Sequence, residues 1–312
     1  MRPYAFGVDI GGTTVKIGLF KTEGELLEKW EIPTRKENGG EQILPDVATS
    51  LKSCMEKREL TPDDVAGVGV AVPGPVRDQS FVERGVNIGW GNKEAAKEMS
   101  ALLFDLPVKV CNDANAAALG ELWRGGASKH NSVVMVTIGT AVGGGVVLDG
   151  KIVEGAFGAA GEIGHIPVMD GEEECCGCGK KGCLEQYASA TGTVRIAGQL
   201  LEQSDAPSAL RGIDPLTAKD IYDAAKAGDA LAEEAVDTVT RILGKALGAI
   251  SCVVDPEAFV LGGGTSRAGE YLLERARRYF QMYAFPPSRN AEFYLAELGN
   301  DAGIYGAVKM LL

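Results

Sequence analysis

The stretch from Gly161 to Glu185 constrains this chain more than any other. It opens as Gly161-Glu162-Ile163-Gly164-His165, reaches Cys175-Cys176-Gly177-Cys178 and closes with Cys183-Leu184-Glu185. His165, Cys176, Cys178 and Cys183 supply one imidazole and three thiolates, a set that suits a closed tetrahedral zinc site. Zinc there would hold the flanking carboxylates Glu162 and Glu185 rigidly, as a polyhydroxylated ligand requires. The competing reading is a disulfide knot or a group of spare thiols. Adjacent Cys175 and Cys176 pair poorly with each other, and the chain reads as cytosolic, where disulfides are rare. Cys175 is the thiol left outside the ligand set.

The chain has 312 residues, enough for two domains with separate cores. A net charge of −12 argues against nucleic acid or an anionic membrane surface as a partner. The first residues run straight into a strand, so no signal peptide is expected. No apolar run approaches the roughly 18 residues of a membrane span. The expected location is the cytoplasm.

Strand patterns fall at 5–9, 15–20, 26–32, 65–72, 108–111, 132–138, 144–148, 258–261 and 292–296. Helical patterns fall at 42–57, 113–123, 217–227, 229–254, 268–282 and 302–311. Strands first, then helices alternating with strands, predict an α/β chain with a mixed sheet. The helical stretches near 190–250 predict an insert in the second half. Val8-Asp9-Ile10-Gly11-Gly12-Thr13-Thr14 and Thr137-Ile138-Gly139-Thr140-Ala141-Val142-Gly143-Gly144-Gly145 both read as strand, Gly/Thr turn, strand. Two such hairpins suggest two similar α/β halves facing each other across a cleft, unless two Gly-rich turns merely look alike.

Asp9, Gly11, Gly12, Thr13, Thr14 and Lys16 fit an anion-binding turn. Glycines allow close backbone approach, the hydroxyls and the ammonium add donors, and Asp9 can hold Mg²⁺ through water. An ordinary tight hairpin is the plainer reading. No Walker motif and no intact Gly-x-Gly-x-x-Gly occurs, so a nucleotide is not held in either of those ways. Gly139-Thr140 and Gly262-Gly263-Gly264 are two further cradles, each weak alone and stronger together. Asn112-Asp113 follows a strand and precedes a helix, where Asp113 either points at a ligand or caps the helix. The segments around Pro73-Gly74 and Asn87-x-Gly89 read as turns, and His130 as a surface loop residue.

These motifs, in order along nearly the whole chain, resemble the ROK-family sugar kinases, most nearly the bacterial ROK glucokinases. The resemblance rests on residues 9–16, Pro73-Gly74, Asn112-Asp113, residues 139–145 and 161–165, the three cysteines and residues 262–264. It implies an actin-like ATPase (ribonuclease H-like) α/β fold with two lobes and an active site in the cleft between them. One lobe is expected over 1–115 plus 298–312, with the first phosphate turn and the catalytic Asp. The other spans 116–297, with the zinc loop and helical insert. By the resemblance Asp113 is the catalytic base, while Asn112, Glu162, His165, Glu185 and, more weakly, Asn87 contact the sugar. His165 would serve twice, one ring nitrogen on zinc and the other toward the sugar.

The expected reaction is ATP-dependent, Mg²⁺-assisted phosphorylation of a hexose at its C6 hydroxyl, with glucose first. Kinases for N-acetylmannosamine, N-acetylglucosamine or fructose, or a non-catalytic sugar-binding regulator, are the alternatives. A homodimer or tetramer is implied, and no nucleic-acid partner. Repressors of the family add a helix-turn-helix segment ahead of the phosphate turn, for which the residues before Asp9 leave no room. Ala141 stands where glycine would be more usual.

Overall fold

The computed structural model describes residues 2–312. Its strands are β1 (Tyr4–Ile10), β2 (Thr14–Lys21), β3 (Leu26–Pro33), β4 (Val65–Val72), β5 (Val76–Arg77), β6 (Phe81–Val82), β7 (Val108–Asn112), β8 (Val133–Ile138), β9 (Val142–Leu148), β10 (Lys151–Ile152), β11 (Ala258–Gly262) and β12 (Glu292–Leu295). Its helices are α1 (Glu37–Gly40), α2 (Ile43–Lys57), α3 (Ala95–Leu102), α4 (Asp113–Arg124), α5 (Glu185–Ala188), α6 (Ala190–Gln203), α7 (Ala218–Lys226), α8 (Ala230–Val254), α9 (Glu270–Tyr283) and α10 (Ala302–Lys309). Every strand and helix read from periodicity is present within a few residues. The short β5, β6 and β10 and the helices α1, α3 and α5 were not expected.

One sheet runs β3-β2-β1-β4-β7 and the other β10-β9-β8-β11-β12. In the first, β2 is antiparallel to β1 and β3, whereas β4 is parallel to β1 and β7. In the second, β10 is antiparallel to β9, while β11 is parallel to β8 and β12. The strand order is the same in both, so the two glycine hairpins are equivalent elements of repeated halves. The chain divides into two compact units. The first comprises the chain up to Asn131, Gly145–Gly161 and Glu297–Leu312; the second comprises Ser132–Gly144 and Glu162–Ala296.

In the first unit, alternation along β1 sets what each face can hold. Phe6, Val8 and Ile10 enter a core with Leu44, Val47 and Leu51 of α2 and Met99 of α3. Ala5 packs with Phe20, Ile304 and Val308 on the α10 side. This side is built from small residues because α10 lies almost directly on the sheet. A Cβ on Gly7 would strike the Ile304 carbonyl, and one on Gly306 would strike that of Ala116 in α4. Glu121 of α4 is fully buried and accepts backbone N–H bonds from Gly126, Glu297 and Leu298, the last at 2.8 Å. That carboxylate fastens the C-terminal segment to α4.

The second unit is centred on β8, β11 and β12, where Phe259, Phe280 and Phe293 pack with ring centroids 5.2–5.3 Å apart. Its helical insert is well capped. Thr217 and Asp220 form a reciprocal capping box on α7, and Asp229 caps α8. No helix among the described residues is long and apolar enough to cross a membrane.

Gly306→Ala would overpack the α4–α10 contact, where backbone rather than a flexible side chain must yield. We expect a loss of about 2–3 kcal/mol. Urea denaturation checks it, and an unchanged midpoint would contradict the packing described.

Candidate functional site

The first glycine turn joins β1 to β2 and places Asp9 opposite Lys16 in the antiparallel register. The Gly11 N–H donates to the Thr14 carbonyl at 3.0 Å, and the Thr34 hydroxyl donates to the Gly11 carbonyl at 2.7 Å. Thr13 is exposed at the apex, and Lys16 Nζ donates to the Asn300 carbonyl at 3.1 Å. Asn87 adjoins this turn, for a Cβ on Gly12 would lie 3.4 Å from the Asn87 carbonyl oxygen.

Asp9 shares its face of β1 with Gly7, so its carboxyl lies under the first turn of α10, against Gly303. Burial there, reinforced by the negative charge of Asp113 and only partly offset by Lys16, raises its pKa from 3.8 to about 6. Taking a carboxylate out of water disfavours its charged form, which a bound cation would reverse.

Asn112 and Asp113 resolve the ambiguity of their spacing. Asn112 is the N-cap of α4: its Oδ1 accepts from the N–H groups of Ala114 and Asn115, while its Nδ2 donates to the Gly74 carbonyl at 3.2 Å. One amide N–H of Asn112 remains for a ligand. Asp113 stands exposed in the first turn, where its Oδ1 shares the Ala114 N–H with Asn112, at 2.8 Å.

In the second unit, ligand atoms of His165, Cys176, Cys178 and Cys183 all lie within 4.8 Å of one another. His165 Nδ1 faces Cys176 Sγ at 3.5 Å, and Nε2 faces Glu162 Oε2 at 4.0 Å. The ring thus turns one nitrogen to the thiols and the other to a carboxylate. Glu185 Oε1 lies 2.9 Å from Cys176 Sγ and 3.9 Å from His165 Nδ1. All seven cysteines are free. The N–H of Lys180 holds the Cys178 thiol below its usual pKa, whereas burial raises that of Cys183. The set fits a thiolate-loving cation, which would take all three sulfurs as thiolates. Cys175 is exposed and stands outside the cluster.

The turn Ile163–His165 packs against the second glycine hairpin so closely that a Cβ on Gly164 would strike the Val142 carbonyl. In that hairpin, Gly139 N–H donates to the Ala141 carbonyl, and Ala190 N–H of α6 donates to Gly139 at 2.8 Å. Ala141 is exposed with no left-handed backbone, so a side chain is accommodated there. Gly139, Thr140 and Gly264 line one cavity of about 580 Å³, within the range of small-ligand pockets. Gly262 instead closes β11 and is buried, while Gly263, at φ +83°, turns the chain against Ile138.

Sequence reasoning missed the rest of that cavity wall: Thr217, Lys219, Tyr222 and Asp223 from α7, with Thr265 and Arg267 beyond the third glycine turn. It also missed the ties that orient the metal-type loop, where Glu172 accepts from Tyr187 Oη and from Arg195 Nη1, the latter at 2.9 Å. With Tyr187 the chief cause, these bonds hold the Glu172 pKa at about 2. His130 lies half-buried in the loop after α4.

Two outcomes check this geometry. Cys178→Ser should purify without a full complement of bound metal, while Cys175→Ser keeps it; elemental analysis showing the reverse would reassign the ligands. Because folding raises the Asp9 pKa, its protonated form is the one the fold favours. That contribution is complete below pH 4 and lost as the pH climbs through 6. Asp9→Asn should therefore be more stable than the parent by about 1–3 kcal/mol at pH 8. The two denaturation curves should converge toward pH 4, and a variant weaker at pH 8 would contradict the burial argument.

The ROK family profile matches residues 5–312. The glucokinase of Halalkalibacterium halodurans is 43% identical over 96% of this chain and 92% of its own length. A ROK family glucokinase from Streptomyces griseus, solved with glucose and AMPPNP, superposes with a TM-score of 0.75 at 33% identity over 98% of both chains. The ROK hexokinase of Thermus thermophilus gives a TM-score of 0.80 at 31% identity, covering 98% of this chain and 97% of its own. The repeated half-sheets are those of the actin-like fold of these kinases, and this chain belongs to the ROK family.

Proposed function

We propose that this chain is an ATP-dependent hexokinase that phosphorylates glucose at its C6 hydroxyl. The observation that carries the reading is the division of labour at the head of α4, where Asn112 takes the capping bonds and leaves Asp113 exposed. Asp113 is the general base: an ordinary Asp is ionised at neutral pH and can accept the hydroxyl proton as the O–P bond forms.

Asn112, Asn87, Glu162, His165 and Glu185 hydrogen-bond the other sugar hydroxyls. His165 does so through Nε2, the nitrogen turned away from the thiols. The nucleoside occupies the cavity beside α7, with its phosphates toward Gly139 and Thr140. Gly11, Gly12, Thr13, Thr14 and Lys16 offer donors to the transferring phosphoryl group, and Asp9 holds the hydrated Mg²⁺ that accompanies ATP. Catalysis of phosphoryl transfer is mostly positioning and charge stabilisation, which suits such a set of donors.

Zinc on His165, Cys176, Cys178 and Cys183 would have four protein ligands and no open position, so its contribution is to cross-link the loop. The enzyme works in the cytoplasm, a location consistent with seven unpaired cysteines. It assembles as a homodimer or tetramer, which the exposed Val253, Met282 and Phe285 at the ends of α8 and α9 favour.

Asp113→Asn should lower kcat for glucose phosphorylation by about 100-fold or more with the glucose KM little changed. Near-normal turnover in a coupled assay would remove Asp113 as the base. In the parent enzyme kcat/KM should fall as the pH drops through about 6, where Asp9 takes up its proton. A profile flat from pH 5 to 8 would show that ionised Asp9 is not required.

A further inference from the structure

The cavity beside α7 has a polar complement that bears on which nucleotides it accepts. Resting on the kinase reading, we infer that this site selects a purine nucleotide by shape and does not distinguish adenine from guanine. Its apolar lining includes Ala190, Ala218, Ala268 and the ring of Tyr222. Two lining residues carry hydroxyls that are buried and without a hydrogen-bond partner among the described residues, Thr265 Oγ1 and Tyr222 Oη, and neither atom is open to the cavity. Both are hydroxyls, and a hydroxyl rotates to donate or to accept.

The charged lining groups behave differently. Lys219 and Asp223, one helical turn apart, form an ion pair at 2.7 Å, with side chains 81% and 53% exposed. Adenine and guanine exchange an amino donor for an oxo acceptor at the 6-position. Asp223 can accept from either base's N–H groups, and Lys219 can donate to either base's acceptors. Strong discrimination, of order 10⁴–10⁵, needs buried polar groups that the wrong ligand leaves unpaired. Here neither buried hydroxyl opens into the cavity and the charged groups remain in water, so the wrong base forfeits little. A pyrimidine is disfavoured for another reason, since its smaller ring leaves apolar wall uncovered.

The test is calorimetric binding of ADP, GDP, IDP and CDP to the full-length enzyme, which reads the pocket whichever sugar is accepted. GDP and IDP should bind within about tenfold of ADP, with CDP weaker by about tenfold or more. Thr265→Val should change the ADP and GDP affinities by the same factor, leaving their ratio within about threefold of the parent's. A GDP affinity more than tenfold below that of ADP, CDP binding as tightly as ADP, or a Thr265→Val effect confined to one purine would overturn the inference. Glucose phosphorylation driven by ATP would still stand in each of those cases. Purine binding without turnover of any hexose would instead uphold the inference and sink the kinase reading.

Discussion

Between Val153 and Leu184 the chain forms no strand and no helix beyond the single turn at Ile163–His165, and its backbone pairing is confined to isolated bridges at Pro167–Cys183 and Cys175–Lys181, so side chains must supply much of what ladders supply elsewhere. A segment this long without secondary structure is uncommon in a compact domain unless something else fixes it. The gathering of His165, Cys176, Cys178 and Cys183 is that something. It has help from Gln186, which accepts from the Cys183 N–H and donates to the Glu174 carbonyl, and from Lys180, which donates to the His165 carbonyl. Glu162 and Glu185 owe their positions to this framework, because each neighbours a ligand residue and neither has a regular element before it. The proposed zinc therefore acts on sugar recognition through geometry alone.

The same logic runs through the first unit, with packing in place of coordination. The α10 helix lies on the sheet at backbone distance, which demands glycine at position 7 of β1 and position 69 of β4 and leaves Asp9 the one ionisable side chain on that face of β1. The fold thus buries a carboxyl at an energetic cost and holds it poised near pH 6. Functional sites are where such local conflicts are tolerated, because a ligand relieves them. A cation beside Asp9 would restore the carboxylate and convert a destabilising feature of the free protein into binding energy.

The nine longer strands were legible because each is rich in β-branched, aromatic or leucine side chains, as a continuous run in β4 and β8 and in alternation with polar residues in β3. The pairs β5–β6 and the stub β10 were not, since two residues carry no period. The His/Cys cluster was legible as a set because its residue types have few other uses at that spacing. Asn112 and Asp113 were legible as a pair but not in their separate duties, which depend on the backbone angles at the start of α4. The α7 wall of the cavity beside Gly139 was invisible, because Thr217 and Asp220 are engaged in a capping box and Lys219 and Asp223 in an exposed i,i+4 ion pair, neither of which signals a ligand site. Gly139 and Gly264 are far apart in sequence, and only the parallel pairing of β8 with β11 brings their turns to one cavity.

If a metal-held loop forms the sugar-binding surface, as proposed, glucose affinity must depend on the metal. Calorimetry on the purified enzyme should give one tightly bound zinc per chain and measurable glucose binding. Stripping with a chelator should abolish the glucose signal, leave ADP binding nearly intact, and be reversed by added zinc. Unaltered glucose affinity in the metal-free protein would show that the metal-held loop does not shape the sugar site.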